Sequence, residues 1–190
     1  MRDDSPSFAN STGSNPNPGP VAVFSNPDDT DDDPTTDGTK DWFGWSVCGD
    51  GGDIVIGAPG DDDASSQEDV GAAYRFEWIA STGVWDESSL TYPGFASPND
   101  YFGWSVSMLD DKFLVTARGE NVGQTTHAGK AFLFRRSDGT SVGDPLQAPS
   151  PQPAMGFGWS SVSVRDNRIL VTAATLQPSQ QPGDLNGDLM

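Results

Sequence analysis

Trp42-Phe43-Gly44-Trp45-Ser46-Val47 is written three times along the chain. It returns as Tyr101-Phe102-Gly103-Trp104-Ser105-Val106, and again as Gly156-Phe157-Gly158-Trp159-Ser160-Ser161-Val162. From Phe to Phe the intervals are 59 residues (43 to 102) and 55 residues (102 to 157). A short core repeated at a near-constant interval is the sequence mark of a repeat architecture. In the first copy Phe43, Trp45 and Val47 alternate with Gly44 and Ser46, the period-two pattern of a half-buried strand. The apolar set is therefore expected to point inward, and the same holds for Phe102, Trp104, Val106 and Met108. In the third copy Phe157 and Trp159 are odd-numbered while Val162 and Val164 are even. One extra residue has to be absorbed, which predicts a β-bulge at Ser160-Ser161.

The match extends beyond the core. Ile54-Val55-Ile56 leads into Gly57-Ala58-Pro59, Phe113-Leu114-Val115 into Thr116-Ala117-Arg118, and Ile169-Leu170-Val171 into Thr172-Ala173-Ala174. These runs are apolar on both faces, as central strands covered on both sides should be. A third element follows in two copies, Gly71-Ala72-Ala73-Tyr74-Arg75-Phe76 and Gly129-Lys130-Ala131-Phe132-Leu133-Phe134. Val84 to Thr91 reads as a fourth, outer strand, with a weaker counterpart near Leu146. Short apolar segments in fixed order, separated by turn residues, predict antiparallel meanders.

Phe-Gly, then Gly-Ala-Pro, then Gly-Ala-x-Tyr-x-Phe resembles the FG-GAP repeat, found in the β-propeller of integrin α chains and in many secreted or surface proteins. The resemblance covers roughly residues 41–174. It implies an all-β fold of antiparallel four-stranded β-propeller blades, with about two and a half blades in this chain. The divisions are 1–40, an acidic Pro/Asn-rich linker with a short strand at 21–24; 41–98, blade one; 99–153, blade two; 154–176, a partial blade three; and 177–190, a flexible tail. The second copy has Thr116-Ala117-Arg118 in place of Gly-Ala-Pro, and the third ends early. Closed propellers use four to eight blades. The expectation is thus an open fragment of a longer protein, completed by further blades in cis or by self-association.

Of the 28 acidic residues 24 are Asp, and with 22 Gly, 15 Pro and a net charge of −18 the composition favours β structure and loops over helix. Such a charge repels phosphate backbones, which argues against nucleic acid and anionic membranes as partners. It also keeps a Trp-rich β protein soluble. One Cys48 excludes an internal disulfide, and one His127 makes no zinc site by itself. There is no apolar run long enough to span a membrane and no signal-peptide pattern at Met1. Asn10-Ser11-Thr12 is a glycosylation sequon.

Integrin-type repeats hold calcium between the first and second strands. Here those turns carry Asp50-Gly51-Gly52-Asp53, Asp110-Asp111 and Arg165-Asp166-Asn167-Arg168, without the alternating oxygen ligands the ion needs. The candidate cation site is instead the loop with Asp61, Asp62, Asp63, Glu68 and Asp69, read as a weak calcium site at most. Asp184, Asn186 and Asp188 have the spacing of a calcium-loop start, but the rest of the loop is absent. No other cofactor is expected. Gly44-Trp45-Ser46-Val47-Cys48 approaches a nucleophile elbow but lacks the final Gly. Ser105 and Ser160 recur at the same place, so Ser46 reads as scaffold. A triad centred on His127 has no partner pattern, and His127 reads as a solvent-facing loop residue. No carboxylate pair stands out for glycoside chemistry. The tryptophans of the motif are expected in the blade core.

The resemblance implies a non-enzymatic recognition module for adhesion or protein–protein contact, extracellular or at the cell surface, with a protein or glycan partner. The contrasting expectation is a propeller segment of a secreted hydrolase or carbohydrate-active enzyme, which requires carboxylates or His127 to converge in a pocket.

Overall fold

The computed structural model describes residues 22–27, 41–50, 52–62, 67–90, 92–93, 96–165 and 168–174. The sequon, Asp63, the Asp184–Asp188 stretch and most of the 1–40 segment lie outside the described residues. Among the described residues there are nine strands and no helix. The first sheet runs β1 (Ser46–Asp50), β2 (Asp53–Ala58), β3 (Ala72–Ile79) and β4 (Val84–Ser89), in that spatial order and antiparallel throughout. The second sheet is β5 (Phe102–Leu109), β6 (Lys112–Ala117) and β7 (Lys130–Arg135). The third is the hairpin β8 (Phe157–Arg165) and β9 (Arg168–Ala173). These are the meanders the repeats predict, four-stranded once and incomplete twice. The outer strand of the second sheet is reduced to isolated bridges, Ala131 with Leu146 and Phe134 with Ser141. Gly139 and Gly143, both at φ 67°, and Pro145, which lacks an N–H, interrupt it.

The repeated Phe-Gly is a turn, not the strand its alternation suggests. In all three copies the Trp N–H donates to the carbonyl three residues earlier: Trp45 to Trp42 at 2.9 Å, Trp104 to Tyr101 at 3.2 Å, Trp159 to Gly156 at 2.9 Å. The glycine between them has φ of 90°, 87° and 91°, as at the third residue of a type II turn. The residue before Phe is left-handed too, with φ of 54°, 55° and 56° at Trp42, Tyr101 and Gly156. The turn flips the face of the strand that leaves it. Ser46 and Cys48 turn inward in β1, whereas Trp45 and Val47 are 52% and 65% exposed, contrary to the expected shared face with Phe43.

The same turn explains the register. Phe102 pairs with Ala117 and Val106 with Val115, so four steps on β5 face two on β6. Phe157 pairs with Ala173 and Val162 with Val171, five steps against two. The third copy does carry one extra residue across the interval that holds Ser160-Ser161. The second copy, expected to be regular, is irregular as well, because Phe-Gly-Trp must leave the ladder to make its turn.

Both faces of β2 are covered. Val55 joins Ala73, Leu90, Phe102, Val106, Phe113, Val115, Phe132 and Phe134 in the core between the first two sheets. Ile56, Ala58, Tyr74 and Phe76 face the other way, toward Phe24, Phe43 and Trp85. Residues 22–27 form no strand, correcting the expectation for 21–24, of which Val21 lies outside the described residues. Phe24 is anchored by side-chain packing, 4.5 Å from Phe76 and 5.4 Å from Trp85 between ring centroids. Phe102 is fully buried, and truncating such a side chain costs about 3–5 kcal/mol.

Neighbouring sheets are held by hydrogen bonds at the glycines. Ser46 Oγ donates to the Gly103 carbonyl at 2.9 Å. At the next joint Thr116 stands where Gly57 stood, and its own hydroxyl donates to Gly158 O at 3.3 Å. Ser46, read as scaffold, thus sits at a joint between sheets. At the far end Arg136 binds back to the first sheet, Nε to Asp53 Oδ2 at 2.5 Å, while Arg75 holds the same buried carboxylate at 2.7 Å.

Candidate functional site: a tryptophan ladder and a caged arginine

Because the turn flips the chain, the motif tryptophans leave the core they were expected to fill. Trp45, Trp104 and Trp159, one from each repeat, line up where the first strand of each sheet leaves its Phe-Gly turn. Centroid separations are 4.9 Å from Trp45 to Trp104 and 5.6 Å from Trp104 to Trp159. Trp42 lies 5.4 Å from Trp45 and stacks on Tyr101 at 6.3 Å with the rings 7° apart. Trp104 Nε1 donates to the Trp159 carbonyl at 2.6 Å, which ties the second and third repeats. The first end of the ladder is open: Trp42 and Trp45 are 38% and 52% exposed.

The second joint holds a cation. Arg118 occupies the position that Pro59 has in the first repeat. Its guanidinium carbon is 3.8 Å from the Trp104 ring centre, 4.2 Å from Tyr101 and 4.3 Å from Trp159. Guanidinium stacks favourably on aromatic faces and is more weakly hydrated than an ammonium, which suits it to such a cage. Burial nonetheless pushes its pKa down, opposed by the charges of Tyr101 and Asp69. Nε is buried without a hydrogen-bond partner among the described residues.

Beside Arg118 lies a cavity of about 250 Å³, lined by Asn99, Tyr101, Arg118, Gly119, His127, Ala154, Gly156 and Trp159. His127 is exposed, at φ 51°, with its backbone N–H on Asn121 Oδ1 at 2.9 Å. The wall contains neither a carboxylate nor a hydroxyl or thiol nucleophile beyond the Tyr101 phenol. The sequence pattern placed His127 in solvent and gave Arg118 no role. The signal for Arg118 was the departure from Gly-Ala-Pro at the repeat position.

The acidic loop is arranged differently from a cation cage. Asp61 is buried and its Oδ2 accepts the Tyr74 hydroxyl at 2.7 Å. Asp62 Oδ1 accepts the Asp69 backbone N–H at 2.8 Å, closing the loop on itself. Asp69 acts electrostatically on Tyr101 and Arg118, and Glu68 is exposed, with its carbonyl accepting the Asn99 N–H at 3.0 Å. Among the described residues no three His, Cys, Asp or Glu side chains gather as a metal group.

All three copies thus share the turn and contribute one ring each to the ladder, and the family match falls on the same repeats. The FG-GAP repeat family matches residues 34–76 and 87–134. This is an FG-GAP repeat protein. The gap between the two matches contains the tip of the β3–β4 hairpin, and the third copy, beyond the matched residues, has the same φ pattern and turn bond as the first two. No curated protein matches the chain. FG-GAP repeats form propeller-like modules of protein–protein interaction. No helix of the described residues is long and apolar enough to cross a membrane.

Proposed function

We propose that this FG-GAP protein is a non-enzymatic recognition module that binds a protein partner at the cell surface or outside the cell. The observation that carries the reading is Trp45, more than half exposed at the open end of a ladder of rings. An exposed tryptophan fixed at the end of a hydrogen-bonded turn supplies a large contact area at little entropic cost, and tryptophan is enriched among interface residues that dominate binding energy. The occurrence of FG-GAP repeats in extracellular proteins supports the location. The net charge of −18 favours a partner with a basic surface.

The test is binding of the fluorescently labelled chain to intact cells and secreted proteins of its own source. Saturable binding is expected, weakened about thirtyfold or more in Trp45→Ala, the loss typical of a hot spot. Trp45 is exposed, so this variant keeps its fold. Binding indifferent to Trp45→Ala would sink the ladder as the contact. A hydrolytic turnover that disappears in His127→Ala would sink the non-enzymatic reading.

A further inference from the structure

We propose that the cavity beside Arg118 binds a single sugar ring bearing a carboxylate, a uronate-type acidic sugar, with the carboxylate on the edge of the guanidinium. This goes beyond recognition through Trp45 and does not depend on it, since the two sites sit at different joints of the ladder.

The donors of Arg118 set the charge of the ligand. Three rings within 4.3 Å cover the guanidinium, so its N–H groups have only edge directions left. A guanidinium carries five N–H donors and no acceptor. Among the described residues Arg118 has no ion-pair partner, and Nε has no acceptor at all. A partly desolvated cation with its faces stacked and no ion pair among the described residues at its terminal nitrogens is a preorganised receptor for a planar anion, because a carboxylate matches the two Nη groups with two parallel bonds; Nε, sealed from solvent, takes no part. Asp69, the acid nearest in effect to Arg118, does not line the cavity. The general negative charge of the chain acts from farther away and is damped beyond about 8 Å at physiological salt.

The remaining wall selects what carries the carboxylate. The backbone N–H groups of Gly119, Ala154 and Gly156 are all committed, to Asp100 O, Thr126 O and His127 O. A peptide C-terminus, usually captured by backbone N–H groups, finds none here. The donors that remain are side chains. Asn99 Oδ1 accepts the Tyr101 hydroxyl at 3.0 Å, which leaves the Asn99 amide NH₂ as a donor, and His127 lines the opposite loop. Side-chain donors set around an indole and an alanine suit a ring with hydroxyls on its rim and C–H bonds on its face. At about 250 Å³ the cavity lies below the roughly 300–1,000 Å³ of pockets for drug-sized ligands, so one ring is the fit.

Tryptophan fluorescence reads the site directly, since Trp104 and Trp159 contact Arg118. The full chain is titrated with galacturonate, glucuronate, galactose, acetate and N-acetylglycine. Saturable quenching by the sugar acids is expected, with galactose and acetate at least about tenfold weaker, and a loss of about tenfold or more in Arg118→Gln. Should Arg118→Gln fail to fold, Asn99→Asp serves instead. It keeps the side-chain shape and the left-handed backbone at Asn99 while placing a repelling carboxylate in the cavity, so it should weaken the sugar acids alone. Galactose binding as tightly as galacturonate, or sugar-acid binding unmoved by either variant, overturns the proposal. N-acetylglycine binding as tightly as galacturonate overturns the sugar assignment in favour of a peptide carboxylate.

Discussion

Gly57 and Gly103 meet across the first joint so closely that a Cβ built on Gly57 would lie 2.0 Å from the Gly103 carbonyl oxygen and 2.5 Å from Ser46 Oγ. At the second joint Thr116 replaces Gly57, and its side chain packs on Gly158, where a Cβ would lie 2.6 Å from Thr116 Cβ. The ladder rings are 4.9 Å apart between Trp45 and Trp104 and 5.6 Å apart between Trp104 and Trp159. The second joint is the one that takes in Arg118, between Trp104 and Trp159. Two exchanges within the Gly-Ala-Pro triplet, Thr116 for Gly57 and Arg118 for Pro59, thus set the second joint apart from the first.

Two glycines separate packing from backbone strain. Gly57→Ala meets backbone with no room to yield, and a loss of about 3 kcal/mol is expected, the upper end for an overpacked core. Gly44→Ala meets nothing within 4 Å but is held at φ +90°, so only the left-handed strain of about 1–2 kcal/mol applies. Urea denaturation of both variants checks the order. A smaller loss at Gly57 than at Gly44 would mean that the sheets are not locked together at this contact.

Much of the architecture was legible because it is periodic. Ile54-Val55-Ile56 and Phe113-Leu114-Val115 read correctly as strands covered on both faces, and the Phe-Gly interval placed three sheets. The site was not legible, for two reasons. Alternation in Phe43-Gly44-Trp45 imitates a strand, but the glycine at positive φ makes a turn, and the turn sends Trp45 outward. Arg118 looked like decay of a motif, when its meaning lies in three rings contributed by two other segments, Tyr101 with Trp104 and Trp159. Sequence spacing does not show that convergence.

Calcium should bind weakly. Asp61 is buried against the Tyr74 hydroxyl, Asp62 closes its own loop on the Asp69 N–H, and the Asp69 carboxylate is hydrogen-bonded to Tyr101, so at least three of the five candidate carboxylates already have partners. Affinity in the range of about 10⁻⁴–10⁻³ M is expected by calorimetry. Tyr74→Phe, which removes that hydroxyl from Asp61, should not weaken it. A micromolar site that persists when Asp61 and Asp62 are changed to Asn would show the ion to be held elsewhere.

Asp100 should make stability fall as pH rises. Burial raises its pKa above the ordinary 3.8, the Tyr92 hydroxyl at 3.0 Å and the Ser97 N–H at 2.9 Å oppose this, Glu120 adds to it, and Lys130 opposes it. The folded state therefore binds this proton more tightly than the unfolded chain does. Its contribution is fully present below about pH 3.8 and is lost as pH rises through the raised folded value. The difference between wild type and Asp100→Asn isolates it from the repulsion among other carboxylates. Measured as urea midpoints, that difference should shift in favour of the Asp100→Asn variant between acidic and neutral pH. A difference independent of pH would refute the raised value.

Cys48 should be unreactive in the folded chain. It faces inward from β1 and packs against the core between the first two sheets, although its neighbours Val47 and Gly49 are exposed. Burial pushes the thiol up to about 12 from the usual 9.0, with the Val55 backbone bond opposing. The thiolate is the nucleophile, so at pH 8 the reactive fraction falls about a thousandfold, one factor of ten per pKa unit. Iodoacetamide labelling followed by mass spectrometry should be slow in buffer and fast in denaturant, with a rate that tracks opening of the β1–β2 pair. Gly57→Ala, by loosening the joint beside Ser46, should speed labelling of Cys48. Rapid labelling of the native wild type would place Cys48 on the outer face of β1, and with it Val47 inward, restoring the simple alternation that the Phe-Gly turn otherwise breaks.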